Sequence, residues 1–289
     1  MEDSAYSLFD QCVAALKLDF TSQELAHMAS ENNYSPEQIK AIIEVFQALQ
    51  ERKQETIIST LLKLSRLPMK APKTFENYDF TRIFGKDAEE VKNLSSLSEV
   101  HAGMNLALIG PPGVGKTHLA EAYGRQCCME GMKAYFLKAS ELNEKFIQAR
   151  RIGREASVIN GLVKPTCLII DEIGRCTFDG PSTSMFFDLI DRRYEKEGPK
   201  CMIFTSNKQP MEWSAFFKGE DDLKAALDRM FDEAKIITFK GSSYRAQTAG
   251  LWTHSVGGGW YQDGGGTDGR VFMAQHRCLK FYDGAVREE

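Results

Sequence analysis

The sequence predicts an α/β protein: a mostly parallel sheet with helices on both faces, preceded by a small all-helical segment. Three observations predict it. Between residues 73 and 245, short apolar runs alternate with amphipathic ones. Residues 1–72 carry only the three- and four-residue apolar steps of helices. A glycine-rich loop also stands between the first apolar run and the helical pattern that follows it.

The first clear helix starts at Ser35-Pro36-Glu37-Gln38, with a capping Ser, a Pro at the first helical position and a Gln three residues after the cap. Ile39, Ile42, Ile43, Phe46, Leu49, Ile57, Ile58, Leu61, Leu62 and Leu64 continue it as one amphipathic helix or a pair, ending before Pro68. Residues 52–73 hold six basic side chains, which fit either a solvated helix face or an arm facing nucleic acid. Pro68 to Pro72 reads as a linker. Strands are expected at 104–109, 134–137, 167–170, 201–205 and 236–239, and helices at 116–129, 140–150, 182–194 and 222–231. The last forty residues contain nine of the 23 glycines and, apart from a short strand near 271–273, read as an irregular tail. The expected division is thus a helical domain at 1–67, a linker at 68–80, an α/β domain at 81–249 and a tail at 250–289.

At 289 residues the chain has room for about two domains. With 43% hydrophobic and 26% charged residues, it is neither fibrous nor disordered throughout. No apolar run reaches the ~18–20 residues of a membrane helix. MEDSAYSLFDQ lacks the basic-then-apolar layout of a secretory leader. Seven cysteines without a CxxC pair argue against a disulfide scaffold or a zinc site, so a cytoplasmic protein with reduced thiols is expected. A net charge of −4 gives no global nucleic-acid footprint, so any such binding must come from a local patch or from oligomerisation.

Gly110-Pro111-Pro112-Gly113-Val114-Gly115-Lys116-Thr117 matches the phosphate-binding loop, between an apolar strand and a helix. Its glycines let successive N–H groups point inward around a phosphate. Lys116 offers charge to the β- and γ-phosphates of ATP, Thr117 is placed to hold Mg²⁺, and the helix adds the positive end of its dipole. His118 follows on that helix, where it can border the nucleotide or simply pack. Cys167-Leu168-Ile169-Ile170-Asp171-Glu172 reads as a buried strand with an acidic pair at its C-terminal end. Asp171 would hold the metal and Glu172 would polarise the attacking water. The next strand ends in Thr205-Ser206-Asn207, where Asn207 is either a turn former or a residue orienting that water.

Arg229, on the helix before the last strand, has two readings: an ion pair with Asp232 or Glu233, or a finger reaching the γ-phosphate of a neighbouring subunit. Arg245 could face nucleotide or pair structurally. Arg150, Arg151 and Arg154 form a basic cluster that fits a solvated helix end or contact with DNA phosphates.

Together these features resemble the IstB/DnaC-like ATPases of the AAA+ superfamily, over about residues 39–245. The resemblance rests on Lys73-Thr74-Phe75-Glu76-Asn77-Tyr78-Asp79-Phe80, on Gly115 to Ala120, on Ile169-Ile170-Asp171-Glu172-Ile173-Gly174 and on Arg192-Arg193-Tyr194-Glu195. Thr205-Ser206-Asn207, Trp213, Asp228-Arg229 and Gly241-Ser242-Ser243-Tyr244-Arg245 complete it. It implies an AAA+ core of strand order 5-1-4-3-2 with little or no lid, and a homo-oligomer assembled on DNA with ATP. It further implies a partner at the N-terminal helices, a transposase for the transposition helpers of the family or a replicative helicase for its loaders. The lysine-to-phenylalanine run at 73–80 and the Trp213 segment lean toward the helper. Rivals from other classes are a P-loop small-molecule kinase, against which Arg229 argues, and a slow nucleotide-binding scaffold.

Overall fold

Helices α1 (Glu2–Leu16), α2 (Ser22–Glu31) and α3 (Pro36–Leu64) make up most of the first of two compact units, which also takes in Cys128–Met132. The computed structural model describes residues 2–83, 87–219, 223–232, 234–239, 255–256 and 259–260. Two reciprocal caps start the later helices. Thr21 and Glu24 satisfy each other's backbone N–H groups at α2, and the Ser35 N–H donates to Gln38 Oε1 at 2.7 Å at α3. From its cap α3 runs unbroken for 29 residues, one helix where the periodicity allows one or two. The unit closes on Phe9, Val13, Leu25 and Ile43, with the Phe9 ring 4.7 Å from Phe46 and 5.8 Å from Phe20.

The second unit begins at Ser65, whose carbonyl accepts the Phe136 N–H at 2.8 Å, and Leu67, Phe75 and Tyr78 are buried in it. Its elements are α4 (Asp87–Asn93), α5 (Ser98–Ala102), β1 (Leu106–Ile109), α6 (Lys116–Met129, all but its last two residues), β2 (Ala134–Lys138), α7 (Ala139–Arg151) and α8 (Glu155–Val163). Then follow β3 (Cys167–Ile173), α9 (Gly180–Tyr194), β4 (Cys201–Ser206), α10 (Leu223–Phe231) and β5 (Lys235–Thr238). The five strands are parallel in the order β2-β3-β4-β1-β5, which from the other edge is the expected 5-1-4-3-2. Every residue of β1 and β4 is buried, as strands covered on both faces require. At their N-terminal ends β3 and β4 are stapled by Arg193, which donates to the carbonyls of Leu162, Val163, Pro165, Thr166 and Cys201.

Beyond β5, β6 (Ser255–Val256) and β7 (Gly259–Trp260) form a two-residue antiparallel ladder where the glycine-rich sequence predicts none. Two residues are too few to display a strand period. The remainder of 250–289, including the strand expected near 271–273, lies outside the described residues. Among the described residues no helix is long and apolar enough to cross a membrane.

Candidate nucleotide-binding site

Because all five strands run the same way, their C-terminal ends share one edge of the sheet. Strand β4 lies between β1 and β3, so the residues following it fall between the phosphate loop and the acidic pair. The crossover order thereby builds the site.

The loop leaves β1 at Gly110 and enters α6 at Lys116. Gly115 has φ +96°, and a Cβ there would lie 2.8 Å from Tyr78 Oη, so both backbone conformation and space demand glycine. Lys116 is 6% exposed. Its ammonium donates to the carbonyls of Gly110 (2.6 Å) and Pro111 (2.7 Å) and to Asn207 Oδ1 (2.9 Å). Burial depresses its pKa to about 8, although Asp171 and Glu172 pull the other way.

Thr117 Oγ1 donates to Asp171 Oδ1 at 2.9 Å, and Thr205 Oγ1 donates to the same oxygen at 2.6 Å. Burial raises the Asp171 carboxyl above the usual range, and those two hydrogen bonds hold part of the rise back. The β3–β4 register shifts between Ile170 and Ile173, and within that irregularity Glu172 takes φ +62°, in the left-handed region. Its N–H is received by Thr205 Oγ1 at 2.9 Å. Its carboxylate meets Arg175 at 2.6 Å and Lys138, at the end of β2, at 3.6 Å.

Lys116, Thr117, Asp171, Glu172 and Asn207 therefore converge, together with the loop of Gly110, Pro111, Pro112, Gly113, Val114 and Gly115. His118 is half-buried beside it, its Nε2 3.0 Å from the Thr74 carbonyl and its ring edge-on to Tyr78 at 5.1 Å. Burial lowers its pKa. Arg229 is elsewhere. It pairs with Asp191 on α9 at 2.5 Å, rather than with Asp232, which follows its own helix. Its cleft is shared with Ala102, Gly103 and Asn105, which precede β1, and with Cys201, which opens β4; this is the opposite edge of the sheet from the loop. Arg150 binds both carboxylate oxygens of Asp179 (3.0 and 2.8 Å) and Ser182 Oγ (3.1 Å), whereas Arg151 and Arg154 are exposed. Arg245 lies outside the described residues, as does Glu233.

Thr205, Lys138 and Arg175 take no chemical role from any motif in the sequence. For Thr205 the signal is a buried polar pair, Thr205-Ser206, closing an apolar strand; the ends of separate elements carry no mark for the others.

ATP and Mg²⁺ fit these residues. A buried ammonium with a depressed pKa gains from an adjacent phosphate, and the Thr117 hydroxyl beside the Asp171 carboxylate is a hard-oxygen pair of the type Mg²⁺ takes.

The profile of IstB-like ATP binding proteins matches residues 13–251. The ATP-binding protein assigned to insertion sequence IS5376 of Geobacillus stearothermophilus is 37% identical over 221 residues, 76% of this chain and 85% of that protein. Its counterpart from IS21 of Pseudomonas aeruginosa is 38% identical over 184 residues, 64% of this chain and 68% of that protein. Among solved structures, AMPPCP-bound DnaA from Aquifex aeolicus superposes with a TM-score of 0.50 at 20% identity, over 61% of this chain and 51% of that one. That likeness concerns the fold alone.

Proposed function

The chain belongs to the family of IstB-like ATP binding proteins, and from that premise we propose that it is an Mg²⁺-dependent ATPase that oligomerises on DNA under ATP control and helps a transposase select target DNA. The observation carrying the ATPase reading is the meeting of three separate strand ends at Lys116–Asn207 (2.9 Å) and Thr117–Asp171 (2.9 Å). The insertion sequences in the relatives' names support the transposition reading.

In this reading Lys116 turns its ammonium from the loop carbonyls to the β- and γ-phosphates. Thr117 and Asp171 hold the metal, which when bound neutralises charge on the phosphate oxygens. Glu172 accepts a proton from water as the water oxygen bonds to the γ-phosphorus and the bond to the ADP oxygen breaks. Asn207 orients that water. Arg229 of an adjacent copy stabilises the charge that develops. The helical unit carries the partner contact, and Arg150, Arg151 and Arg154 mark the DNA side, Arg150 by anchoring the segment that bears the other two.

Sedimentation with ATP and Mg²⁺, with and without duplex DNA, tests this for the wild type and Glu172→Gln. Large assemblies that need both ATP and DNA, and that persist in the variant, are expected. A chain that stays monomeric throughout overturns the assembly and the role of Arg229. Binding to the element's transposase is expected as well; binding to a replicative helicase instead would make the protein a loader.

A further inference from the structure

The turn between α7 and α8 presents an apolar side chain between two cations. Ile152, at the C-terminal end of α7, is 66% exposed, and the exposed Arg151 and Arg154 flank it. Single exposed apolar residues are ordinary; the setting of this one is not. The turn is braced: the Arg154 N–H donates to the Ala149 carbonyl at 2.9 Å, and the Ile152 N–H donates to the same oxygen at 3.2 Å. Phe146, Ala149, Ile159 and Leu162 sink both helices into the core. Arg150 clamps the end of α7 to Asp179 and Ser182 at the start of α9. Gly153 turns the chain with φ +63°, and a Cβ there would meet nothing within 4 Å, so the tip is open. Among the described residues no ion pair engages Arg151 or Arg154.

We propose that Ile152 is an apolar wedge that enters between base steps of duplex DNA while Arg151 and Arg154 hold the phosphates on either side. The inference rests on the DNA-assembly reading and adds to it how the DNA is gripped. Charge selects the occupant: two exposed guanidiniums that form no ion pair among the described residues stand beside the apolar tip and suit a polyanion with an apolar interior, whereas an apolar protein groove would leave both cations unmatched. A tip fixed before binding loses little order on insertion, whereas a mobile loop would lose much.

The test uses duplex oligonucleotides containing 2-aminopurine, whose fluorescence rises on unstacking, with the full chain, ATP and Mg²⁺. The wild type is expected to raise the fluorescence. Ile152→Ala is expected to abolish most of that rise and weaken binding about tenfold, with the salt dependence of binding unchanged. Arg151→Ala/Arg154→Ala is expected to lower the salt slope by about 2 for each bound protomer. Wild-type binding without a fluorescence change, or a full change with Ile152→Ala, overturns the wedge and leaves DNA assembly standing. No DNA binding by the wild type overturns both. If the wild type self-associates without DNA and Ile152→Ala does not, the residue belongs to a contact between copies of the chain instead.

Discussion

Thr205 holds Glu172 in a left-handed backbone conformation: its hydroxyl oxygen receives the Glu172 N–H at 2.9 Å while its own proton goes to Asp171 at 2.6 Å. One side chain on β4 thus sets the direction of one carboxylate and the proton demand of the other. A non-glycine residue at φ +62° carries a strain of about 1–3 kcal/mol, which surrounding bonds must offset.

Thr205→Val keeps the shape and removes both bonds. A loss of about 1–3 kcal/mol in stability is expected, with ATP turnover falling by roughly 100-fold as Glu172 moves off line. Nucleotide affinity should change only a few-fold, since Lys116 and the loop are untouched. Thr205→Ser should restore turnover. A valine variant with normal turnover would show that the hydroxyl does not position the carboxylate.

Acid titration of stability isolates the clamp on α9. Asp179 caps that helix, and its hydrogen bond from Ser182, followed by the Arg150 contacts, lowers its pKa to about 2. The folded value lies below the unfolded value of about 3.9, so the charge-dependent stabilisation is complete above pH ~4 and is lost as pH falls toward ~2. With the side chain half exposed, solvent screening reduces it to about 1 kcal/mol. Asp179→Asn keeps a capping side chain without the charge. Its urea midpoint should fall below that of the wild type at pH 7, and the two should converge as pH approaches 2–3. A gap independent of pH would remove the electrostatic explanation.

What the sequence made legible follows from what is local. The loop from Gly110 to Thr117 and the run from Cys167 to Glu172 announce themselves because each is continuous in the chain, and α6 runs over the residues expected of it. Order 5-1-4-3-2 came from resemblance, since periodicity says nothing about which strands pair. Pairings between distant side chains left no trace: Arg229 with Asp191 on α9, or Arg150 with Asp179, depends on how helices pack on the sheet. The bend at Glu172 was equally invisible, because its cause lies 33 residues away at Thr205.

The helical unit offers a separate test of the division of the chain. Phe9 is fully buried between Phe20 and Phe46, so Phe9→Ala should cost about 3–5 kcal/mol, enough to unfold a bundle with so small a core. Limited proteolysis should then open residues 2–64, while a fluorescent ATP analogue binds as tightly as before. Loss of nucleotide binding with Phe9→Ala would mean that the two units do not fold independently.

Arg229 sits on the edge of the sheet opposite the phosphate loop, so within one chain it does not serve the site that the loop builds. Its ion pair with Asp191 joins two side chains that are 48% and 40% exposed, which limits the pair to about 1 kcal/mol or less. Releasing it is therefore cheap against the ~10³–10⁵ in rate that an arginine in trans supplies. A head-to-tail interface would present this edge of one copy to the loop of the next. Arg229→Ala and Glu172→Gln should each be nearly inactive alone. Mixed in equal amounts, they create interfaces with an intact Glu172 on one side and an intact Arg229 on the other, so roughly a quarter of the wild-type phosphate release should return. A mixture as inactive as its parents, from chains that still co-assemble, would place Arg229 outside the reaction and leave it a surface ion pair.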